Sequence, residues 1–329
     1  MITVKDFARV GAAVLWSAVV SAFALSVSPS PAHAWPDRPV KFILPLGPGA
    51  GVDITARMVA DRLSKRWDQP VVVENRPGGD AMVAIAAFTG AQDDHTLLFS
   101  PAGSFTAHPY LHQKVPYDAR DLAPIARVSN TLVAFGAPAS RKLATLKDLV
   151  DLARAQPGKL NWASATGTNE FLFSGFLKTA GLSMEKVPYR DTVQALNDLA
   201  EGRIDMYVGA LAIMRAQVQA GKVKLLAVTN RDRAATMPDV PTAREAGFPE
   251  LAFDGLVGLF GPRDMANDLR EKIAADVRAV MADPDIVTRL TATGQAVSPG
   301  SSAEFEAEMK AQRAQIAAVG QLLGVKPAQ

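Results

Sequence analysis

The chain contains no cysteine in 329 residues, which excludes disulfide cross-links and thiolate chemistry and leaves stability to packing. It also lacks an excess of charge of either sign. Its 35 Lys and Arg stand against 33 Asp and Glu, a formal +2, so neither nucleic acid nor an anionic membrane is an expected partner. Long apolar runs are missing with one exception, Val10 to Leu25, which falls short of the roughly 20 residues a membrane span needs. Lys5 and Arg9 precede that run and Ala32-His33-Ala34 follows it, the order of a secretory signal with an A-x-A cleavage site. Cleavage after Ala34 takes 34 of the 329 residues and leaves 295, enough for two domains at roughly 150 residues each. Losing Lys5, Arg9 and Asp6 with the leader brings the formal charge to +1. Periplasmic export is therefore expected.

Several chemical signatures are absent too. No G-x-S-x-G places a nucleophile, and nothing fixes a serine beside His95, His108 or His112, so a hydrolytic enzyme is the weaker reading. His108 and His112 stand four apart in H-P-Y-L-H, but no Glu follows His108 and no third ligand is apparent in the sequence. No metal and no cofactor are expected.

What is present is a repeated local device. Phe42 to Leu44 is a short apolar strand, and Gly47, Gly49 and Gly51 follow it in a G-x-G-x-G loop that leads into a helix opening at Asp53 to Thr55. Glycine there permits backbone conformations that other residues resist, and unpaired amides at a helix start favour an anion. The spacing matches neither common phosphate fingerprint, which leaves a carboxylate as the expected guest. Glycine turns also follow the strands at Val71 to Glu74 and Thr96 to Ser100. In open α/β sheets the ligand crevice lies beyond such carboxyl ends. A second set begins after Leu132 to Phe135. There Thr145 and Asp148 form a variant capping box for a helix to Ala155, and a strand from Leu160 to Ala163 runs into Ser164-Ala165-Thr166-Gly167-Thr168-Asn169. Two anion-seeking loops in two lobes could close on one ligand. Arg190, just past a strand, could offer a fork to a carboxylate, and Tyr189, Tyr207 and Phe171 could form an aromatic wall. Ala252 to Phe260 is expected to cross back to the first lobe, followed by helices over 266–282, 284–293 and 302–323.

The order of landmarks resembles the Bug-type extracytoplasmic receptors of the tripartite tricarboxylate transporter system. The resemblance rests on W-P-D-R-P-V at Trp35, the glycine loop with Asp53, P-V-V-V-E-N-R-P-G at Pro70, V-P-Y-D at Val115 and P-G-K-L-N-W-A-S-A at Pro157. Further on come V-P-Y-R at Val187, G-R-I-D-M at Gly202, L-A-V-T at Leu226 and P-D-V-P-T-A-R-E-A-G at Pro238. It implies an α/β, two-lobed type II periplasmic binding protein fold with two crossing hinge strands, lobe 1 being 35–134 with 258–329 and lobe 2 being 135–257. By position it implies ligand contacts at Leu46, Gly47, Gly49, Asp53, Ser100, Ser104, Ser164, Ala165, Thr166, Thr168, Tyr189 and Arg190. It further implies a small carboxylate as ligand, two membrane subunits as partners unless the receptor is an orphan, and a monomer. Val52, Asn169-Glu170-Phe171 and Gly209-Ala210 depart from the family pattern. The loss of an acid at the last of these favours an apolar-bodied or aromatic acid over an amino acid or citrate. A sensor that reports its ligand to a signalling partner is the alternative with the same pocket.

Overall fold

The computed structural model describes residues 35–164, 167–189 and 191–328; Ala165, Thr166 and Arg190, all expected ligand contacts, and the leader to Ala34 lie outside the described residues. Two sheets organise residues 38 onward. The first has six strands in the order β11-β4-β10-β3-β1-β2: β1 (Val40–Leu44), β2 (Val71–Asn75), β3 (Thr96–Pro101), β4 (Leu122–Thr131), β10 (Gly255–Pro262) and β11 (Gln295–Gly300). Strand β1 pairs in parallel with β2 and β3, whereas β10 runs antiparallel to both β3 and β4. The second sheet has five strands in the order β7-β6-β8-β5-β9: β5 (Val133–Pro138), β6 (Asn161–Ser164), β7 (Glu185–Lys186), β8 (Met206–Ala210) and β9 (Val223–Val228).

Among the described residues, ten α-helices cover the sheets: α1 (Gly51–Trp67), α2 (Met82–Ala91), α3 (Ala102–Leu111), α4 (Leu146–Ala155), α5 (Gly167–Thr179), α6 (Thr192–Ala200), α7 (Leu211–Gln219), α8 (Asn267–Met281), α9 (Pro284–Ala292) and α10 (Ser302–Leu323). Parallel strands need crossover helices on the sheet faces, so both faces are apolar. Phe42, Ile43 and Leu44, and Leu97, Leu98 and Phe99, are accordingly buried in unbroken runs without alternation. In the second sheet, Phe135, Trp162 and Val208 pack against Phe173 and Phe176 of α5 on one face. On the other, Ala134, Tyr207 and Leu225 pack against Leu196, Leu199 and Met214.

The chain passes between the sheets twice. Strand β4 ends at Thr131 and β5 starts at Val133, so the first crossing is the single residue Leu132. The return runs through Phe253 and Asp254 into β10. Buried Asn230 ties the first crossing: its Oδ1 accepts from Val133 N at 3.0 Å and its Nδ2 donates to Thr131 O at 3.0 Å. Its neighbour Thr229 ties the second, its Oγ1 donating to Phe253 O at 2.8 Å. A backbone bond from Phe253 N to Thr229 O completes the clasp.

Away from the crossings, α5 of the second sheet packs on α3 and α10 of the first. Phe171 and Leu172 meet Ala107, Phe253 and Ile316 in one apolar cluster. Among the described residues, no helix is long and apolar enough to cross a membrane.

Candidate functional site

A cavity of about 460 Å³ lies where the two sheets face each other. It sits beyond the carboxyl ends of β1, β2, β3 and β8, the position ligands take in open α/β sheets. Five helices start on its wall. Ala50, Gly51 and Val52 of the α1 start, Ala81 before α2, Gly103 and Ser104 in α3, Thr168 and Asn169 in α5, and Ala210 and Ala212 at α7 all line it.

Helix starts normally have their free amides covered by a side chain. Here Thr145, Asp191, Asp283 and Ser301 cap α4, α6, α9 and α10, none of which opens on the cavity. The cap positions of α1, α2, α3 and α7 are Ala50, Ala81, Pro101 and Ala210, which supply no side-chain hydrogen bond. Outside the cavity only Ala266 at α8 shares that feature among the described α-helix caps. Four helix starts without a side-chain cap thus converge on one space, each with about half a positive charge, the first amides of α2 and α7, Met82 N and Leu211 N, already donating to Gly79 O and Leu132 O.

The remaining wall is mostly apolar and small: Leu46, Val133, Ile213, Phe253 and Leu256 add bulk to the alanines. Among the described lining residues, Asp80 is the one ionisable side chain. Its Oδ2 lies 2.9 Å from His112 Nε2 and 3.4 Å from His108 Nε2. Its carboxyl is held below the usual range, first by His108 and, against the opposing effect of burial, by His112.

The glycine loop is held from behind. Asp53 is buried, and its carboxylate accepts from Gly49 N at 2.9 Å, from Asn75 Nδ2 at 2.8 Å and from Arg57 Nε at 3.1 Å. Asn75 Nδ2 also donates to Leu46 O at 2.8 Å, and Arg57 donates to Asn75 Oδ1 at 2.7 Å. Gly49 has φ +87°, a conformation glycine adopts without the Cβ penalty. Burial pushes the Asp53 pKa up, but the bonds from Asn75, Arg57 and Gly49 outweigh it and the carboxyl ends below its ordinary value. Asp53 therefore spends its charge on the loop rather than on the cavity.

Of the expected ligand contacts, Leu46, Ser104 and Thr168 lie on the wall. Thr168 Oγ1 donates to Gly103 O at 2.9 Å, joining α5 to α3 across the cleft. Gly47 and Gly49 belong to the loop behind Leu46 and Ala50 and Asp53 to the first turn of α1 that anchors it, and none of the three is a lining residue. Ser100 is fully buried in β3, its hydroxyl donating to Pro101 O at 3.1 Å. Ser164 ends β6 and is not a lining residue either. Tyr189 donates to Asp198 Oδ2 at 2.7 Å, away from the wall, and burial together with that bond raises its pKa to about 12. Tyr207 is buried in the core behind β8, because successive residues of a strand face opposite sides and its side is the one covered by α6 and α7. Phe171 sits in the apolar cluster between α3, α5 and α10. The aromatic on the wall is instead Phe253, at the second crossing. Asp80, Asn75 and Asn230 carry no site signal in the sequence and become neighbours of the site only through the fold, whereas Gly209-Ala210, where the family pattern has an acid, proves to be the α7 start.

Residues 55–324 match the family model described as the tripartite tricarboxylate transporter family receptor. The chain is 32% identical over 273 residues to a UPF0065 protein from the tcbD-tcbE intergenic region of a Pseudomonas sp., covering 82% of this chain and 81% of the relative. It is 29% identical over 241 residues to protein BugT of Bordetella pertussis, covering 72% and 74%. Two solved structures from Rhodopseudomonas palustris share its fold at 26% identity. One, with adipate, has a TM-score of 0.75 over 89% of this chain and 99% of the other. The second, MatC with bound malate, has a TM-score of 0.69 over 88% and 99%. The architecture is thus the two-lobed α/β fold of periplasmic binding proteins, with the cavity between its lobes. Given the extent of the family match, this chain belongs to the receptor family of the tripartite tricarboxylate transporters.

Proposed function

We propose that this protein is a periplasmic receptor that captures a small organic acid between its lobes, without chemical change, for the membrane subunits of a tripartite-type transporter. The observation that carries this reading is the convergence of four uncapped helix starts on one cavity. Such starts are anion sites by their amides and dipoles alone. A carboxylate supplies the acceptors that the missing caps do not.

The wall favours an apolar-bodied or aromatic acid. Ala81, Ala212, Ile213 and Phe253 offer surface for a hydrocarbon body, whereas Asp80 is the one described ionisable lining group and lies against two histidines. Adipate in one relative's structure and malate in another belong to the same chemical class. Leu46, Ser104 and Thr168 are the expected side of contact for the acid group. Closure would turn the lobes, divided at 134/135 and 257/258, about the crossings clasped by Thr229 and Asn230. The ligand's differential affinity for the closed form drives that shift, and exclusion of water strengthens the amide contacts.

Thermal denaturation of refolded, ligand-stripped protein tests the reading. Adipate, malate, benzoate, glutamate and citrate are compared with glucose and putrescine. A ligand at 100 times its Kd stabilises the native state by about 2.7 kcal/mol, so a binding acid raises the midpoint measurably. We expect adipate or benzoate to do so. Stabilisation by citrate or glutamate alone would overturn the apolar preference, and stabilisation by putrescine or glucose alone would overturn the carboxylate reading.

A further inference from the structure

Asp80, in the turn before α2, meets two residues of another element. His108 lies within α3 and His112 caps that helix, 32 residues away from Asp80 in sequence. Three ligand atoms, one from each side chain, lie within 4.8 Å of one another. The separations from Asp80 Oδ2 are 2.9 Å to His112 Nε2 and 3.4 Å to His108 Nε2. In a tetrahedral site with bonds of about 2.0–2.1 Å, neighbouring ligand atoms stand about 3.3 Å apart. The two separations from Asp80 are close to that spacing.

The buried member of the set is already oriented. His108 is fully buried, and its Nδ1 is 2.6 Å from Tyr117 Oη. A hydrogen bond at one ring nitrogen fixes the tautomer and turns the other nitrogen toward a metal, the arrangement that supports imidazole ligands generally. That other nitrogen, Nε2, is buried and faces Asp80 Oδ2 at 3.4 Å without well-formed hydrogen-bond geometry. A buried polar atom whose one neighbouring acceptor is poorly placed costs free energy that a better-placed partner recovers. Electrostatics points the same way, because an anionic Asp80 on the wall of a cavity built for anions repels its own guest. A bound cation reverses that sign.

We propose that Asp80, His108 and His112 form a binding site for a divalent transition-metal ion of the zinc class, set into the cavity wall. Two imidazoles and one carboxylate suit zinc and its neighbours, whereas magnesium and calcium are taken up by all-oxygen sets. Three protein ligands leave the fourth position to water or to an oxygen from a molecule in the cavity, as in open zinc sites. This last step and the electrostatic argument rest on the carboxylate reading; the metal site stands on the three side chains.

The test uses the exported protein after dialysis against a chelator. Zinc is titrated by calorimetry, and cobalt(II) is added separately as a spectroscopic probe of tetrahedral geometry. One equivalent of zinc with micromolar or tighter affinity and a visible tetrahedral cobalt band are expected. Asp80→Asn and His112→Ala should each weaken zinc binding at least tenfold with unchanged circular dichroism. Asp94→Asn, in the separate Asp93, Asp94 and His95 group, should leave it as it was. Absence of zinc binding, or affinity untouched by Asp80→Asn and His112→Ala, would overturn the site. Malate added to the cobalt-loaded protein should shift the band. An unshifted band with malate bound overturns the open fourth position, and failure of every acid to bind in metal-free and loaded protein counts against the carboxylate reading alone.

Discussion

Replacing Asp53 with Ala or Asn removes the post to which the glycine loop is tied. Were the carboxylate paired wholly inside the protein, its loss would cost about 3–5 kcal/mol. Its partners are not so enclosed. The Arg57 side chain is 49% exposed against 3% for Asp53, and Gly49 is exposed, so both regain water when the carboxylate leaves. What is lost is a set of charge-assisted hydrogen bonds, about 1.5–3 kcal/mol in sum. Urea unfolding followed by circular dichroism at neutral pH should show that loss for Asp53→Ala. Asp53→Asn should lose at least about 1 kcal/mol, because its amide must face a donor.

Acid titration supplies a separate signature of the same network. The folded-state pKa of Asp53 is below its ordinary value, so its contribution is present above the unfolded pKa and is lost as pH falls through the folded one. The gap between wild type and Asp53→Asn should therefore hold from neutrality to about pH 4 and narrow below it. Amide exchange at Gly49 should quicken in both variants. An Asp53→Asn protein within about 0.5 kcal/mol of wild type at neutral pH, with a gap indifferent to acid, would refute the reasoning.

Asn230→Ala strips buried partners from Val133 N and Thr131 O. At about 1–3 kcal/mol for the buried Val133 N and about 1 kcal/mol for the half-buried Thr131 O, a loss of about 2–4 kcal/mol is expected in urea unfolding. A Cβ on Gly258 would meet Phe305 Cε1 at 2.4 Å and Ala126 O at 2.5 Å, and the backbone oxygen has little room to retreat. Gly258→Val should cost at least about 2 kcal/mol by overpacking, read as a lowered denaturation midpoint, whereas Gly47→Ala, with open space around it, should change stability by less than about 1 kcal/mol.

The chain order of strands and helices was largely legible because its punctuation is local. Thr145 with Asp148 forms the expected capping box, and Gly49 occupies the positive φ that its loop suggests. The last helix carries its cap at Ser301 with Glu304, one residue before the expected start. Two helices around the site left no such mark. Helix α2 is nearly all apolar, so no amphipathic period shows, and it begins after Asp80 and Ala81, both at positive φ. Helix α3 contains Pro109 and opens with a glycine at its second position, features that usually argue for a loop. Strand β11 was passed over because its Ser-Pro-Gly end lacks strand character, yet it forms the edge of the sheet beside β4.

The site itself was legible in its loops and not in its wall. Uncapped helix starts are visible in sequence only once the starts are known, and four of the five cavity helices begin at Ala, Pro or Gly-rich turns rather than at a capping residue. Tyr207 invites use as a wall because every residue around it in β8 is apolar, so alternation cannot say which face is covered. His108 and His112 lacked a third ligand in the sequence because Asp80 reaches them through tertiary packing.

Calorimetric titration of ligand-stripped wild type and Ser104→Phe with adipate, malate and benzoate tests the central claim most directly, since Ser104 lies on the cavity wall at an uncapped helix start. The account predicts one-to-one binding of at least one acid by wild type and at least a tenfold loss in Ser104→Phe. No heat from any acid, or equal affinity in the filled variant, would contradict it.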